Sequence, residues 1–178
     1  MSRAAFLDRD GVLNVRPAPH EYVCGLADFE WLPGAPAAIA RLDRAGYLPI
    51  VVSNQRGVAR GLVTHEVLLE IERRIQADLA AHGTRIHDFL YCPHDPSDGC
   101  DCRKPRPGLL LGAAARYGIE LNESVMIGDS ASDVEAGRAA GCYTILVGPD
   151  RAEAGRETEP DAVAPDLAAA VELLAGNG

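Results

Sequence analysis

Five short apolar or β-branched runs, at 4–7, 49–53, 88–92, 124–127 and 144–147, alternate along this chain with stretches of helical periodicity at about 35–45, 65–82, 107–117, 131–140 and 166–175. Strands separated by helices return by crossovers and lie parallel, so the alternation predicts an α/β fold: an open, parallel, Rossmann-like sheet with helices on both faces. Within the second helical stretch Val67, Leu68, Ile71, Ile75 and Leu79 recur at helical spacing, a stripe that faces the core. Thr64, with Glu66 in the first turn, marks its start, and Gly46 and Gly83 stop the first two helices. Residues 149–160 are charged and weakly patterned and read as a surface loop. A length of 178 residues suits a single domain, taken here as 1–178.

The chemistry gathers where the runs end. The first runs into Asp8-Arg9-Asp10-Gly11, two carboxylates presented at the carboxyl end of a strand, which is where open parallel sheets bind ligands. Like charges placed together need a cation between them, and Mg²⁺ with oxygen ligands is the ordinary solution; a solvated Asp-Gly turn is the plain alternative. The second run ends in Ser53-Asn54-Gln55-Arg56, offering a hydroxyl and the main-chain N–H groups of Asn54 and Gln55, although Ser at a strand end is commonly a turn former. The fourth runs into Gly128-Asp129-Ser130, with Asp133 one helical turn on. Lys104 stands apart by composition, the single lysine beside sixteen arginines. A compact ammonium fits where a planar guanidinium would crowd; chance survival of one exposed lysine is the plain alternative. Arg103 beside it has the bidentate geometry to hold a second substrate anion, or a carboxylate.

Cys92, His94, Cys100 and Cys102 place three thiols and an imidazole within eleven residues. That donor set matches a closed, structural zinc site in a loop, 92–102, that has little apolar surface with which to order itself. A Cys100–Cys102 disulfide is the weaker alternative, being strained across one residue. Cys24 and Cys142 stand alone and receive no role. The spacing argues against a secreted disulfide framework. With no run of about 20 apolar residues to span a membrane and no signal-peptide pattern, the expected compartment is the cytoplasm. A net charge of −9 argues against a nucleic-acid partner.

Taken in order, Asp8/Asp10, Ser53, Lys104 and Asp129 resemble the four motifs of the haloacid-dehalogenase (HAD) phosphohydrolases across residues 4 to 147. The resemblance implies a HAD-like, capless domain, since too few residues separate Asp10 from Ser53 for an inserted cap. It implies Asp8 as nucleophile, Asp10 as general acid and base, Ser53 and Lys104 on the phosphoryl group, and catalytic Mg²⁺ on Asp8, Asp129 and the Asp10 carbonyl. Asp133 and Ser130 would support the metal, although Asp133 also reads as an exposed carboxylate in a helix's first turn. The Cys-x-His and Cys-x-Cys pairs followed by Arg-Lys-Pro resemble the branch holding the heptose-bisphosphate and histidinol-phosphate phosphatases. The stretch 53–61, Pro107-Gly108, and Asn14 with His20-Glu21-Tyr22-Val23 lean to the heptose side; the short loop from His94 to Cys100 leans to the histidinol side. The implied reaction removes the 7-phosphate of D-glycero-D-manno-heptose 1,7-bisphosphate, with histidinol phosphate as the rival substrate and a catalytically dead phospho-ligand module as the non-enzyme alternative. Asn14, His20, Tyr22, Asn54, Gln55, Arg56 and Arg103 are the expected substrate contacts of a monomer whose only partner is a small phosphorylated sugar.

Overall fold

The structure, a computed structural model, describes residues 2–148 and 159–176; most of the surface loop expected at 149–160 therefore lies outside the described residues. Six parallel strands, β1 (Arg3–Leu7), β2 (Tyr47–Asn54), β3 (Asp88–Cys92), β4 (Val125–Gly128), β5 (Tyr143–Val147) and β6 (Ala162–Ala164), lie in the order β3-β2-β1-β4-β5-β6. The five expected strands are all present within one or two residues of their expected bounds. β6 is additional: three residues, two of them alanine, carry too little strand preference to be read from sequence and are held by pairing with β5.

Helices α1 (Ala35–Arg44), α2 (Arg56–Ala59), α3 (His65–Ala80), α4 (Gly108–Tyr117), α5 (Ala131–Ala140) and α6 (Leu167–Gly176) connect and cover the sheet. Thr64 caps α3, its Oγ1 accepting from the Val67 N–H at 3.3 Å. The strand period of two sorts β1 cleanly between two cores. Ala5 and Leu7 pack with α1, α3 and α6 residues such as Ile39, Ile75 and Val171, while Ala4 and Phe6 pack with Leu110 of α4 and Ala136 of α5. Both faces are thus buried, as a parallel sheet requires. Between β1 and α1 the chain carries no inserted domain among the described residues, only loop and a 3₁₀ turn at Leu26–Asp28. No helix among the described residues is long and apolar enough to cross a membrane.

The strand order reverses between β1 and β4, which pair directly. At such a switch point the loops leaving neighbouring strands diverge to opposite faces and open a crevice. Asp8 follows β1 and Asp129 follows β4, so the topology alone sets the two carboxylates side by side.

Candidate functional site

A cleft of about 650 Å³ opens over this edge, lined by Asp8, Asp10, Ser53, Lys104, Asp129 and Asp133 at its floor and by residues 16–23 and Arg103 around its sides. Three carboxylates from three elements, Asp8, Asp129 and Asp133, bring an oxygen each to within 4.8 Å of one another. Close backbone packing makes this possible. Gly11 has φ +93°, and a Cβ there would collide with the Asp129 carboxylate; a Cβ on Gly128 would collide with Asp133. One buried ammonium stands among the three: Lys104 Nζ lies 3.0 Å from Asp8 Oδ1 and 2.5 Å from Asp133 Oδ1, and donates to the Val52 carbonyl at 2.7 Å.

The charge balance is incomplete. Burial pushes the Asp8 carboxyl up to about 6, against the pull of Lys104 and with the help of Asp133 and Asp10. Burial, then the fields of Asp8 and Asp133, pushes Asp129 up to about 7. Lys104 moves the other way: the two carboxylates overcome desolvation and hold it protonated well above its ordinary range. Carboxylates that resist ionisation beside a single fixed cation fit a hard divalent ion held by oxygen ligands. Arg16, 59% exposed, reaches across the cleft to Asp129 Oδ2 at 3.0 Å and answers part of the same deficit.

Each expected residue has a definite place. Asp133 is fully buried in the first turn of α5, not exposed; its Oδ2 accepts from the Ser130 N–H at 3.1 Å and from Ser130 Oγ at 2.6 Å, so the Ser130 hydroxyl is spent on a capping box. Ser53 is buried at the cleft floor with its Oγ accepting from Gln55 Nε2 at 3.0 Å. The Gln55 main-chain N–H is not free for substrate, since it donates to the Cys92 carbonyl at 2.8 Å. Asn14 does not line the cleft: it is fully buried, donating to Asp10 Oδ1 and to the Val15 carbonyl at 2.9 Å each. Asn54 lines the cleft, yet its amide is committed to the Lys104 backbone, accepting from its N–H and donating to its carbonyl at 3.0 Å each. His20 and Tyr22 belong to the flap at 16–23, and the Tyr22 ring lies against Gly57 of α2. Arg56 lines the cleft with its Nε bound to Asp95 Oδ2 at 2.6 Å, and Arg103 donates to the His94 carbonyl at 3.1 Å.

The last two contacts lead into the Cys/His loop. Cys92, His94, Cys100 and Cys102 converge, with Cys92–His94 at 3.6 Å, Cys92–Cys100 at 3.6 Å, Cys92–Cys102 at 3.3 Å, Cys100–Cys102 at 3.5 Å and His94–Cys102 at 3.3 Å. The bonds of about 2.3 Å in a zinc–thiolate tetrahedron give edges near 3.8 Å, so the donors already approximate that figure. All five cysteines are free, and the Cys100 and Cys102 sulfurs, 3.5 Å apart, form no disulfide in this structure. The thiols compete for protons. Against desolvation, hydrogen bonds from Cys102 and Cys92 hold Cys100 down at about 7, while burial and the neighbouring sulfurs push Cys102 up to about 12. Such a set suits a soft divalent metal.

Two functional residues were not singled out from sequence. Arg16 sits in a loop with no local pattern. Arg9 is fully buried between the two acids of the first motif, and its Nε and Nη2 donate to Asp10 Oδ1 and Oδ2 at 3.0 and 3.1 Å. The single Arg between two aspartates at the end of an apolar run is the one signal that points to Arg9; no local signal points to Arg16.

A carboxylate pair after β1, a lysine and an acidic turn after β4, gathered at the switch point of a parallel sheet, define a HAD-like hydrolase; a family model described as HAD-hydrolase-like matches residues 101–170. The chain is 42% identical over 148 residues to the D-glycero-beta-D-manno-heptose-1,7-bisphosphate 7-phosphatase of Pseudomonas aeruginosa, covering 83% of this chain and 82% of that one. It is also 42% identical over 149 residues, 80% of this chain and 78% of the relative, to the D-glycero-alpha-D-manno-heptose-1,7-bisphosphate 7-phosphatase of Mycobacterium tuberculosis. The crystal structure of the D,D-heptose 1,7-bisphosphate phosphatase from B. bronchiseptica, complexed with magnesium and phosphate, superposes with a TM-score of 0.88 at 37% identity over 99% of both chains. The chain belongs to the heptose-1,7-bisphosphate 7-phosphatase family of HAD-like phosphatases.

Proposed function

We propose that this chain removes the 7-phosphate of D-glycero-D-manno-heptose 1,7-bisphosphate through an aspartyl-phosphate on Asp8. The observation that carries the chemistry is Lys104 Nζ seated between Asp8 and Asp133, with Asp129 adjoining. An ammonium there holds the Asp8 carboxylate in its nucleophilic form and leaves it able to attack without a partner base. The Asp8 oxygen bonds to phosphorus as the bond to the sugar oxygen breaks, and Asp10 gives that oxygen its proton. Water then attacks the aspartyl-phosphate, Asp10 takes its proton, and the bond from phosphorus to Asp8 breaks to release phosphate. Asp133 and Asn54 position Lys104, one by charge and the other by fixing its backbone. Asp8, Asp129 and the Asp10 carbonyl would hold Mg²⁺, which when bound supplies positive charge against the phosphoryl oxygens.

Cys92, His94, Cys100 and Cys102 would hold zinc in a structural role, with no open position for substrate. The loop they close delivers Arg103 and Lys104 to the cleft. Arg103 is the best-placed group for the phosphate that does not react. The test is phosphate release from the α and β anomers of heptose 1,7-bisphosphate and from histidinol phosphate, each with and without Mg²⁺. Mg²⁺-dependent turnover of a heptose bisphosphate, exceeding that of histidinol phosphate at least tenfold in kcat/KM, is expected. Preference for histidinol phosphate would overturn the substrate, and no release from any of them would overturn the activity.

A further inference from the structure

Among the described residues Arg9 is the largest side chain with no exposed surface, and it is charged. Burying a guanidinium carries a desolvation cost that an apolar side chain of similar size avoids, and such replacements are often neutral or stabilising. Stability of the core therefore gives little reason for a charge at this position. The hydrogen bonds it makes point elsewhere. Nε and Nη2 fork onto the two oxygens of Asp10, and Nη2 also donates to Gln55 Oε1 at 3.3 Å. Gln55 in turn donates to Asp10 Oδ2 at 3.1 Å, and Asn14 donates to Oδ1 at 2.9 Å. Each Asp10 oxygen thus receives one bond from Arg9 and one from an amide, and a carboxylate held at four points keeps a single orientation. The Asp10 side chain is still 23% exposed, facing the cleft.

We propose that Arg9 is the positioning residue for Asp10: its buried fork sets the plane of the carboxylate so that one edge meets the oxygen that leaves phosphorus. The inference rests on the reading of Asp10 as the acid of a phosphatase. Arg9 itself never touches substrate, because Asp10 and Gln55 stand between it and the cleft.

The test compares Arg9→Met, Arg9→Lys, Asp10→Asn and the Arg9→Met/Asp10→Asn double variant on heptose 1,7-bisphosphate and on p-nitrophenyl phosphate, whose leaving group needs no proton. In kcat/KM, which reports only the first phosphoryl transfer, Arg9→Met should lose about 10- to 100-fold on the sugar phosphate, no more than the lower end of a full general-acid contribution of about 10²- to 10⁴-fold, and less than about fivefold on the aryl phosphate. Lysine keeps the charge without the fork and should fall between. The double variant should be no slower than Asp10→Asn, since Arg9 acts only through Asp10. Equal losses on both substrates, or a double variant slower than Asp10→Asn, would overturn the proposal, as would failure of both Arg9→Met and Arg9→Lys to fold. Asp10→Asn separates the two levels. If it shows no leaving-group dependence, the acid assignment fails and this inference with it; if it does and Arg9→Met does not, only the inference fails.

Discussion

The two ligand clusters of this molecule are built on opposite principles. The oxygen cluster of Asp8, Asp129 and Asp133 draws on the ends of β1 and β4 and the first turn of α5, spans 126 residues of chain, and is brought together by the sheet. The sulfur cluster of Cys92, His94, Cys100 and Cys102 lies within eleven residues that begin at the last residue of β3 and otherwise carry only a 3₁₀ turn at Pro96–Asp98. The first is a preformed, partly open site of hard donors with a built-in cation, Lys104. The second is a compact set of soft donors in a loop with little apolar surface, held otherwise by polar contacts such as Arg56 with Asp95 and Arg106 with the Gly99 and Cys100 carbonyls. The difference teaches that the fold positions the chemistry at one cluster, whereas at the other the proposed zinc would position part of the fold. The two meet at Arg103-Lys104.

Breaking the oxygen cluster should cost activity and spare stability. Asp8→Asn is expected to abolish turnover, because an amide forms no acyl-phosphate, while the metal-free melting temperature stays level or rises. The sign follows from the shift: burial holds the Asp8 carboxyl at about 6, so the folded chain binds that proton more tightly than the unfolded one. That proton-linked stability is full below the ordinary carboxylate range and is lost as the pH rises through about 6, so at neutral pH an uncharged isostere removes a cost. Steady-state kinetics and calorimetry at pH 7.5 check both halves.

Breaking the sulfur cluster should cost both. Cys100→Ser is expected to lose zinc, to lower the melting temperature by about 5–10 °C, the response of a chain this size to about 2–3 kcal/mol, and to reduce kcat/KM by about 100-fold as the anchor of Lys104 loosens. Elemental analysis, calorimetry and kinetics on one preparation decide it. Zinc-free wild type that melts and turns over normally would dissolve the contrast.

The junction gives a smaller effect. Arg103→Ala should lower kcat/KM for the bisphosphate by about 10- to 100-fold, the loss of one charge-assisted contact of about 1.5–3 kcal/mol, and should affect a monophosphate much less. Equal losses would assign Arg103 to its bond with the His94 carbonyl and hence to the loop. The smallest effect belongs to Arg16, an exposed arm that competes for Asp129. Its removal in Arg16→Ala should tighten apparent Mg²⁺ affinity by about two- to fivefold in a calorimetric titration, in keeping with the modest worth of a solvent-exposed ion pair.

The sequence by itself determined much of this molecule where local pattern and chemistry coincide. An apolar run that ends in a charged turn marks both a strand and the sheet end where ligands bind, which is why the positions of Asp8 and Asp129 and the five longer strands were legible, and three thiols and an imidazole at short spacing name a candidate metal site without reference to any distant residue. What escaped depended on how the backbone turns and on partners that periodicity does not show. Asn14 and Asn54 look like exposed polar residues beside a ligand, and only the return of the backbone turns their amides onto Asp10 and Lys104. Asp133 reads as a surface carboxylate until the crossover of Lys104 from the other side of the sheet covers it. β6 exists because β5 offers it an edge. Arg9 was the hardest to read: a charge between two charges at a strand end suggests solvent, and only the packing of β1 against its neighbours decides that it folds inward, where a guanidinium persists because it has a carboxylate to hold.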